Sequence, residues 1–237
     1  MPKIKLSDGT YIKYTTIPLY RGVKVIDKEK AFENLVLLKS LLEQKNVKFQ
    51  LAYGTLLGAI RDKDFISHDE DIDLVLLEED KSRLFEALPL FVANGFKIAR
   101  YDRRGLLSII RNGEYIDLYF FDKLDDEIRT CSGMLCPATF LENVSLIDFK
   151  GENFYAPTDY VGFFEYEYGD DWMTPIKWAN FEPSYFHVLK MNLRMKIRDI
   201  LPDWIFFKLA KGAEKKLEAR YAPKMKRYKE RKQNNEI

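Results

Sequence analysis

The chain has 237 residues, of which 46% are hydrophobic and 32% charged, so it can bury a core and stay in solution. No apolar run approaches the roughly 20 residues that a bilayer-spanning helix needs, and the N-terminal segment lacks the apolar stretch of a signal peptide. We therefore expect a cytoplasmic protein that could rest on the inner face of a membrane. The net charge of +1 conceals a basic segment from Lys208 to Lys232, with 11 Lys or Arg against 3 Asp or Glu.

The first third of the chain predicts a lead-in, a helix, a strand and a short helix. Residues 1–26 are expected to be irregular or β-rich. Asp27 is a suitable N-cap for a helix that continues to about Lys45, because apolar residues recur on one helical face. A strand over Val47–Tyr53 is then predicted to lead into a short helix over Thr55–Arg61.

The middle of the chain predicts further strands and one helix. A strand over Ile72–Leu77 precedes a helix over Lys81–Ala93. Asn112-Gly113 indicates a two-residue hairpin turn between strands at Leu106–Arg111 and Glu114–Phe121, because both turn positions tolerate a positive φ. From about residue 185 onward the pattern is helical, with interruptions expected at the two prolines Pro202 and Pro223. The expected fold is therefore α/β (α+β), a mixed sheet flanked by helices with a helical C-terminal extension.

Two aspartates in the second predicted strand indicate a metal site. Asp71 and Asp73 are two residues apart, so their side chains point to the same face, while Ile72 and Leu74 point to a core. Two carboxylates on one face repel each other unless a cation lies between them, and oxygen ligands suit Mg²⁺. Alone, however, an Asp-x-Asp pair is common on surface strands and loops.

Two further features strengthen this hypothesis. Asp117 lies in an apolar strand, where a carboxylate is costly unless it is paired, hydrogen-bonded or bound to metal. Gly54 and Thr55 stand between a strand and a helix, where the backbone can approach an anionic phosphate. Three acids on neighbouring strands would suit metal-assisted phosphoryl transfer. The alternative for Asp117 is a buried ion pair with Arg61 or Arg111.

Two ordered blocks resemble the LicD/fukutin family. From Tyr53 to Leu74 the chain has Gly-Thr-Leu-Leu-Gly, a basic residue, and an acidic run that ends in Asp-Ile-Asp-Leu. Downstream, Ala156–Tyr160 and Tyr168-Gly-Asp-Asp-Trp-Met resemble a second block of that family. The resemblance covers roughly residues 30–178. Two departures are His68, where an aromatic residue is common, and Glu70, where a third consecutive Asp is common.

The resemblance implies a nucleotidyltransferase-like catalytic domain at 27–185, between a lead-in at 1–26 and a basic helical extension at 186–237. It implies transfer of a substituted phosphate, such as phosphocholine or a polyol phosphate, from a CDP-linked donor to a glycan or a lipid-linked glycan precursor. Asp71 and Asp73 match the family's metal aspartates and Asp117 its third acid, with Mg²⁺ or Mn²⁺ as the cofactor. No nucleic-acid partner is expected.

Other residues are candidates for substrate binding. Arg61 and Lys63 follow the short helix and could contact donor phosphate, although Arg61 could instead pair with Asp69 or Glu70. The remaining candidates, besides Gly54 and Thr55, belong to the downstream block and could equally be core residues or a helix cap: Tyr168, Asp171 and Trp172.

Two other functions share these features. A nucleotidyltransferase that transfers the nucleoside monophosphate itself would use the same three acids. A non-catalytic protein with a decayed site could use the basic segment to bind an anionic surface. In the enzyme, the same segment is predicted to bring the protein to an anionic membrane, with Trp204, Phe206 and Phe207 as apolar contacts. The alternative for this segment is a packed helix with a basic face in water.

Overall fold

A computed structural model of the chain describes residues 1–17, 25–175 and 184–234. The lead-in begins with an antiparallel hairpin of β1 (Lys3–Lys5) and β2 (Tyr11–Lys13), which confirms its predicted β-rich character over residues 1–17.

The centre of the molecule is a mixed β-sheet. Its strands are β3 (Gln50–Leu51), β4 (Asp71–Leu77), β5 (Lys97–Asp102), β6 (Leu106–Arg111), β7 (Glu114–Lys123), β8 (Ile128–Cys131), β9 (Met134–Pro137), β10 (Val144–Phe149) and β11 (Glu152–Pro157). The main path is β10-β11-β3-β4-β7-β6-β5, and the β8–β9 hairpin pairs with the end of β7. Strands β4 and β7 run parallel, as do β3 and β11, whereas the other pairs are antiparallel.

Helices cover both faces of this sheet. They are α1 (Lys28–Glu43), α2 (Tyr53–Leu57), α3 (Lys81–Ala93), α4 (Ala138–Glu142), α5 (Tyr160–Glu167), α6 (Tyr185–Ile200) and α7 (Asp203–Gln233). A π-helical turn over Gly58–Asp62 extends α2, and a 3₁₀ turn over Glu78–Asp80 precedes α3. The predicted α/β class, with a mixed sheet, flanking helices and a helical C-terminal part, is confirmed.

Strand β4 shows how side-chain alternation sets the two faces of the sheet. Ile72, Leu74 and Leu76 are buried, on the face where Phe85 of α3 packs edge-on against Phe120 of β7. The opposite face of the sheet carries the acids, and there Tyr53 of α2 lies against Tyr119 of β7. Helices α1 and α3 therefore close the apolar face, whereas α2 and α5 border the face with the carboxylates.

Two predictions of local structure are wrong. The strand predicted over Val47–Tyr53 is only two residues long, because the chain turns at Asn46 with φ of 52° and enters α2 at Tyr53 with φ of 45°.

The interruption predicted at Pro202 is confirmed, since it lies between α6 and α7, but α7 continues through Pro223. Tyr221 and Met225 are buried on either side of Pro223, so packing outweighs the hydrogen bond that the proline removes.

Helix α7 packs against the rest of the protein along much of its length. Near its start, Phe206 is buried beneath the Arg103 guanidinium, whose central carbon lies 4.1 Å from the ring centre. Farther along, the Lys224 Nζ lies 2.8 Å from the Glu167 carboxylate, and Arg231 pairs with Glu165. The prediction that Phe206 contacts a membrane is therefore wrong, because that side chain is part of the protein interior.

Candidate active site

The strand register brings the three predicted acids to one face of the sheet. Asp73 of β4 lies directly beside Asp117 of the parallel strand β7. Asp71 is two residues before Asp73 and therefore shares its face. Three carboxylates thus lie together on two adjacent strands, although the three sequence positions span 47 residues of chain.

Asp117 is held by two side chains of the neighbouring strands. Ser108 of β6 is its register partner, and Arg100 of β5 is in turn the register partner of Ser108. The Ser108 hydroxyl donates to Asp117 Oδ1 at 2.5 Å, and Arg100 Nη2 donates to Oδ2 at 2.8 Å. Asp117 is only 3% exposed, so this ion pair compensates a carboxylate that is buried in the sheet.

Asp71 and Asp73 differ from Asp117 in forming no salt bridge with a described Lys or Arg, although the charge of Arg100 lowers the pKa of Asp71 somewhat. Burial raises the pKa of Asp71 to about 7, with a further contribution from the negative charge of Asp117. Burial and then the charge of Asp71 raise the pKa of Asp73 well above its ordinary value, while a hydrogen bond from Tyr119 acts in the opposite direction. The site is therefore a concentration of negative charge that a bound cation would relieve.

Gly54 makes room for a fourth acid, Asp69. A Cβ atom on Gly54 would lie 2.3 Å from Asp69 Oδ2, so no residue with a side chain fits there without moving the carboxylate. The group that lies close to Gly54 in the structure is thus the Asp69 carboxylate. Donor binding at Gly54 stays a prediction.

Thr55 supports the site from inside the protein. Its hydroxyl accepts a hydrogen bond from the Asp73 backbone N–H at 2.9 Å, and the residue is fully buried. Thr55 therefore fixes β4 against α2 at the position of the acid. The side chain does not reach the surface, and contact of Thr55 with substrate stays a prediction.

Arg61 and Lys63 lie at the end of the π-helical turn. Arg61 forms a two-pronged pair with its neighbour Asp62, at 2.7 and 2.9 Å, rather than with Asp69 or Glu70. Lys63 is exposed in a left-handed conformation with φ of 54°. Their contact with a donor phosphate stays a prediction.

The downstream block contributes a tyrosine to the neighbourhood of the acids. Tyr168 ends α5 and is followed by Gly169 with φ of 98°, which confirms the predicted helix cap. Burial and then the charge of Asp73 raise the pKa of Tyr168, although 42% of the residue is exposed to solvent. Trp172 packs on Phe164 with ring centres 4.7 Å apart, whereas Asp171 is exposed.

The carboxylates fit a divalent cation in part. Asp71 and Asp73 share a face and form no salt bridge with a described Lys or Arg, which suits Mg²⁺ or Mn²⁺. Over the described ranges, however, no three His, Cys, Asp or Glu side chains form a cluster that could hold a metal ion. A metal site at Asp71, Asp73 and Asp117 therefore stays a prediction, and the structure adds that Asp117 is held by Arg100 and Ser108.

The sequence prediction missed the side chains that hold Asp117. The signal was nevertheless present, because a two-residue turn at Asn112-Gly113 makes the residues that flank it register partners. Counting back from that turn places Ser108 opposite Asp117. No comparable signal identifies Arg100, because the β5–β6 pairing contains an irregularity between Ile98 and Arg100.

Comparison with known proteins relates the segment that contains this sheet and its carboxylate face to a protein family. Residues 46–159 match the LicD/FKTN/FKRP nucleotidyltransferase domain. This match supports the resemblance to the LicD family that the two sequence blocks indicated.

The curated relatives are proteins without a described activity. An uncharacterized protein of Rickettsia typhi is 28% identical over 186 residues, which are 74% of this chain and 58% of that protein. An uncharacterized protein of Rickettsia prowazekii is 36% identical over 81 residues, which are 33% of this chain and 30% of that protein. The chain thus spans less than two thirds of the length of each.

Two solved structures are distantly similar. The lincosamide antibiotic adenylyltransferase LnuA, with lincomycin bound, gives a TM-score of 0.43 at 13% identity over 68% of this chain and 95% of that chain. The enzyme ANT(2'')-Ia in complex with adenylyl-2''-tobramycin gives a TM-score of 0.41 at 14% identity. The match covers 83% of this chain and 99% of that chain. These similarities carry no conclusion about the substrates of this chain.

Proposed function

We propose that the protein is a metal-dependent transferase that moves a substituted phosphate, such as phosphocholine or a polyol phosphate, from a CDP-linked donor to a hydroxyl of a cell-surface glycan or its precursor. The observation that carries this proposal is the pair Asp71 and Asp73, which lies inside the segment that matches the LicD domain and is not paired with a described Lys or Arg. The donor and acceptor classes come from the family resemblance.

In this reaction Asp71 and Asp73 would hold Mg²⁺ or Mn²⁺ beside the donor diphosphate. The bound cation would supply positive charge that stabilises the diphosphate as the nucleoside monophosphate departs. An acceptor oxygen would form a new bond to the transferred phosphorus while the bond from that phosphorus to the bridging oxygen breaks. Nucleoside monophosphate leaves with the electron pair of the broken bond.

Asp117 would accept the proton of the acceptor hydroxyl. An ionised carboxylate has about four acceptor positions, and Ser108 and Arg100 use two of them. These two donors fix the orientation of the carboxylate, as a positioned base requires. Tyr168 caps α5, the helix that borders the carboxylate face, and would contact one of the substrates there.

Cation binding should depend on pH through Asp71. Because its pKa is raised to about 7 in the folded protein, Asp71 keeps a proton between about pH 4 and 7 that the unfolded chain releases. Its contribution to stability without metal therefore falls as pH rises through this range. We expect Asp71→Asn to raise the melting temperature of the metal-free protein more at pH 8 than at pH 5.

The raised pKa of Asp71 also predicts how divalent cations stabilise the wild type. Mg²⁺ or Mn²⁺ should raise the melting temperature more at pH 8 than at pH 5, and Asp71→Asn should abolish most of this increase. Thermal melts with and without each cation measure both effects. The control is Asp148→Asn, which changes an exposed aspartate of β10 in the same sheet. Equal stabilisation of wild type and Asp71→Asn would contradict the cation site.

The donor class is tested by nucleotide binding. In the presence of Mg²⁺, CDP should stabilise the protein more than UDP, ADP or GDP, because a ligand that binds the native state adds RT ln(1 + [L]/Kd) to its stability. A larger shift with UDP or a purine nucleotide would contradict the cytidine assignment. With a CDP-linked donor labelled in the substituted phosphate, the label should appear on the acceptor. Transfer of the cytidine label instead would identify a nucleotidyltransferase.

A further inference from the structure

Helix α6 carries an apolar stripe that faces away from the protein. Five side chains spaced by three or four residues form it, and each is between 45% and 79% exposed: Phe186, Leu189, Leu193, Ile197 and Ile200. With 100° between successive residues, these positions lie within one side of the helix. We call this set the outer stripe. Trp204, at the start of α7, is 71% exposed and lies just beyond its C-terminal end.

The other side of α6 attaches the helix to the protein. Val188 is buried, and Asp199 accepts a hydrogen bond from Thr16 of the lead-in. Near the end of the helix, Arg198 Nη2 lies 2.6 Å from Asp102 Oδ2. Arg103 donates to the Arg198 carbonyl at 2.6 Å and to the Leu201 carbonyl at 2.9 Å. These bonds set which side of α6 faces the core and leave the outer stripe directed outward.

Basic side chains border the outer stripe. Lys190 and Lys196 lie on its two sides around the helix, and Arg194 lies beyond Lys190. All three are exposed. Asp199, the acidic residue of the helix, bonds to Thr16 on the attached side. The surface that α6 presents to solvent is therefore apolar along its centre and positively charged along its edges.

We propose that the outer stripe of α6 binds the surface of an anionic lipid bilayer, with the helix lying in the plane of the interface. An interfacial helix combines an apolar face with Lys or Arg beside it, and each basic residue near an anionic surface contributes about 1 kcal/mol. No described helix is long and apolar enough to cross a bilayer, so contact through α6 is peripheral. This proposal does not depend on the transfer reaction.

Charge favours lipid over a second copy of the chain as the occupant. In a twofold contact the same surface meets itself, so the basic edges of one helix would lie near those of the other. Lysine is also depleted in the centres of protein interfaces. An anionic bilayer instead offers opposite charge to Lys190, Arg194 and Lys196 while its acyl region accepts the apolar side chains.

Sedimentation with vesicles tests the proposal on the full chain. We expect the wild type to pellet with vesicles of phosphatidylcholine containing about a third phosphatidylserine at 0.1 M salt. Binding to vesicles of pure phosphatidylcholine should fall at least about tenfold, because these vesicles carry no net negative charge. Binding to the anionic vesicles at 1 M salt should fall by a similar factor, because the Debye length shrinks from about 10 Å to about 3 Å. The double variant Leu193→Ser/Ile197→Ser should lose binding to a similar degree.

A matched control separates this effect from a general loss of apolar surface. Leu146→Ser changes a leucine of β10 that is 58% exposed, against 57% for Leu193, and should bind vesicles like the wild type. Circular dichroism and thermal melts should show that the folds of all variants are intact. The proposal is overturned if the wild type stays in the supernatant at 0.1 M salt or if the double variant binds equally well. A dimer in sedimentation velocity that the double variant abolishes, without vesicle binding by the wild type, would identify a second copy as the occupant.

Discussion

Asp73→Asn is expected to abolish turnover, with a loss of at least about a thousandfold, while the fold stays intact. An amide ligates a divalent cation more weakly than a carboxylate, and the lost interaction stabilises charge at the reacting phosphate. A loss of several kcal/mol in this interaction corresponds to several factors of ten in rate. Since Asp73 forms no salt bridge with a described residue and lies near other carboxylates, removing its charge should stabilise the metal-free protein. Turnover and melting temperature, each with and without Mg²⁺, measure the two effects.

Asp71→Asn should behave in the same way, because both side chains lie on one face of β4. Asp148→Asn is again the matched control, since it removes a carboxylate from an exposed position of the same sheet and should leave turnover unchanged. Near-normal turnover in either Asp71→Asn or Asp73→Asn would end the proposal of a metal-dependent reaction at this pair. A large loss of turnover together with a lower melting temperature would indicate a structural role instead.

The parts of the site that the sequence predicts correctly follow from short-range regularities. Alternation along a strand places Asp71 and Asp73 on one face and Ile72 on the other, whichever strands lie beside it. The turn at Asn112-Gly113 fixes the pairing of β6 with β7. Helix α1 begins after the predicted cap at Asp27, whose side chain accepts a hydrogen bond from the Lys30 N–H.

The parts that the sequence does not predict depend on long-range packing. Nothing local shows that β4 pairs in parallel with β7, which is what places Asp73 beside Asp117. Helix α7 continues through Pro223 because the buried residues around it contact distant elements. Thr55 resembles a ligand-binding residue in the motif, yet its hydroxyl is used by the backbone of β4, 18 residues away.

Asp117→Asn should reduce turnover per folded molecule at least about a hundredfold, as the loss of a positioned base requires. The substitution keeps the size of the side chain, and the amide oxygen can still accept one hydrogen bond from Ser108 or Arg100. The expected decrease in melting temperature is therefore small. If Asp117 only partners Arg100, the variant would instead lose stability and keep its turnover per folded molecule.

Arg100→Gln tests the same ion pair from its other side. It removes the positive charge from a cluster of three carboxylates and leaves Asp117 buried without its ion pair, which costs about 3–5 kcal/mol. In a chain of this size that cost lowers the melting temperature by about 2–4 °C per kcal/mol. The double variant Asp117→Asn/Arg100→Gln should be more stable than Arg100→Gln alone, because it lacks the uncompensated charge.

The double-mutant cycle therefore separates the two roles of Asp117. The changes in the free energy of unfolding caused by the two substitutions should be strongly non-additive, because each substitution removes one partner of the same ion pair. In turnover, the double variant should be no more active than Asp117→Asn, since restoring charge balance does not restore a base. Recovery of turnover in the double variant, in step with its melting temperature, would show that Asp117 serves the fold alone and that the acceptor proton leaves by another route.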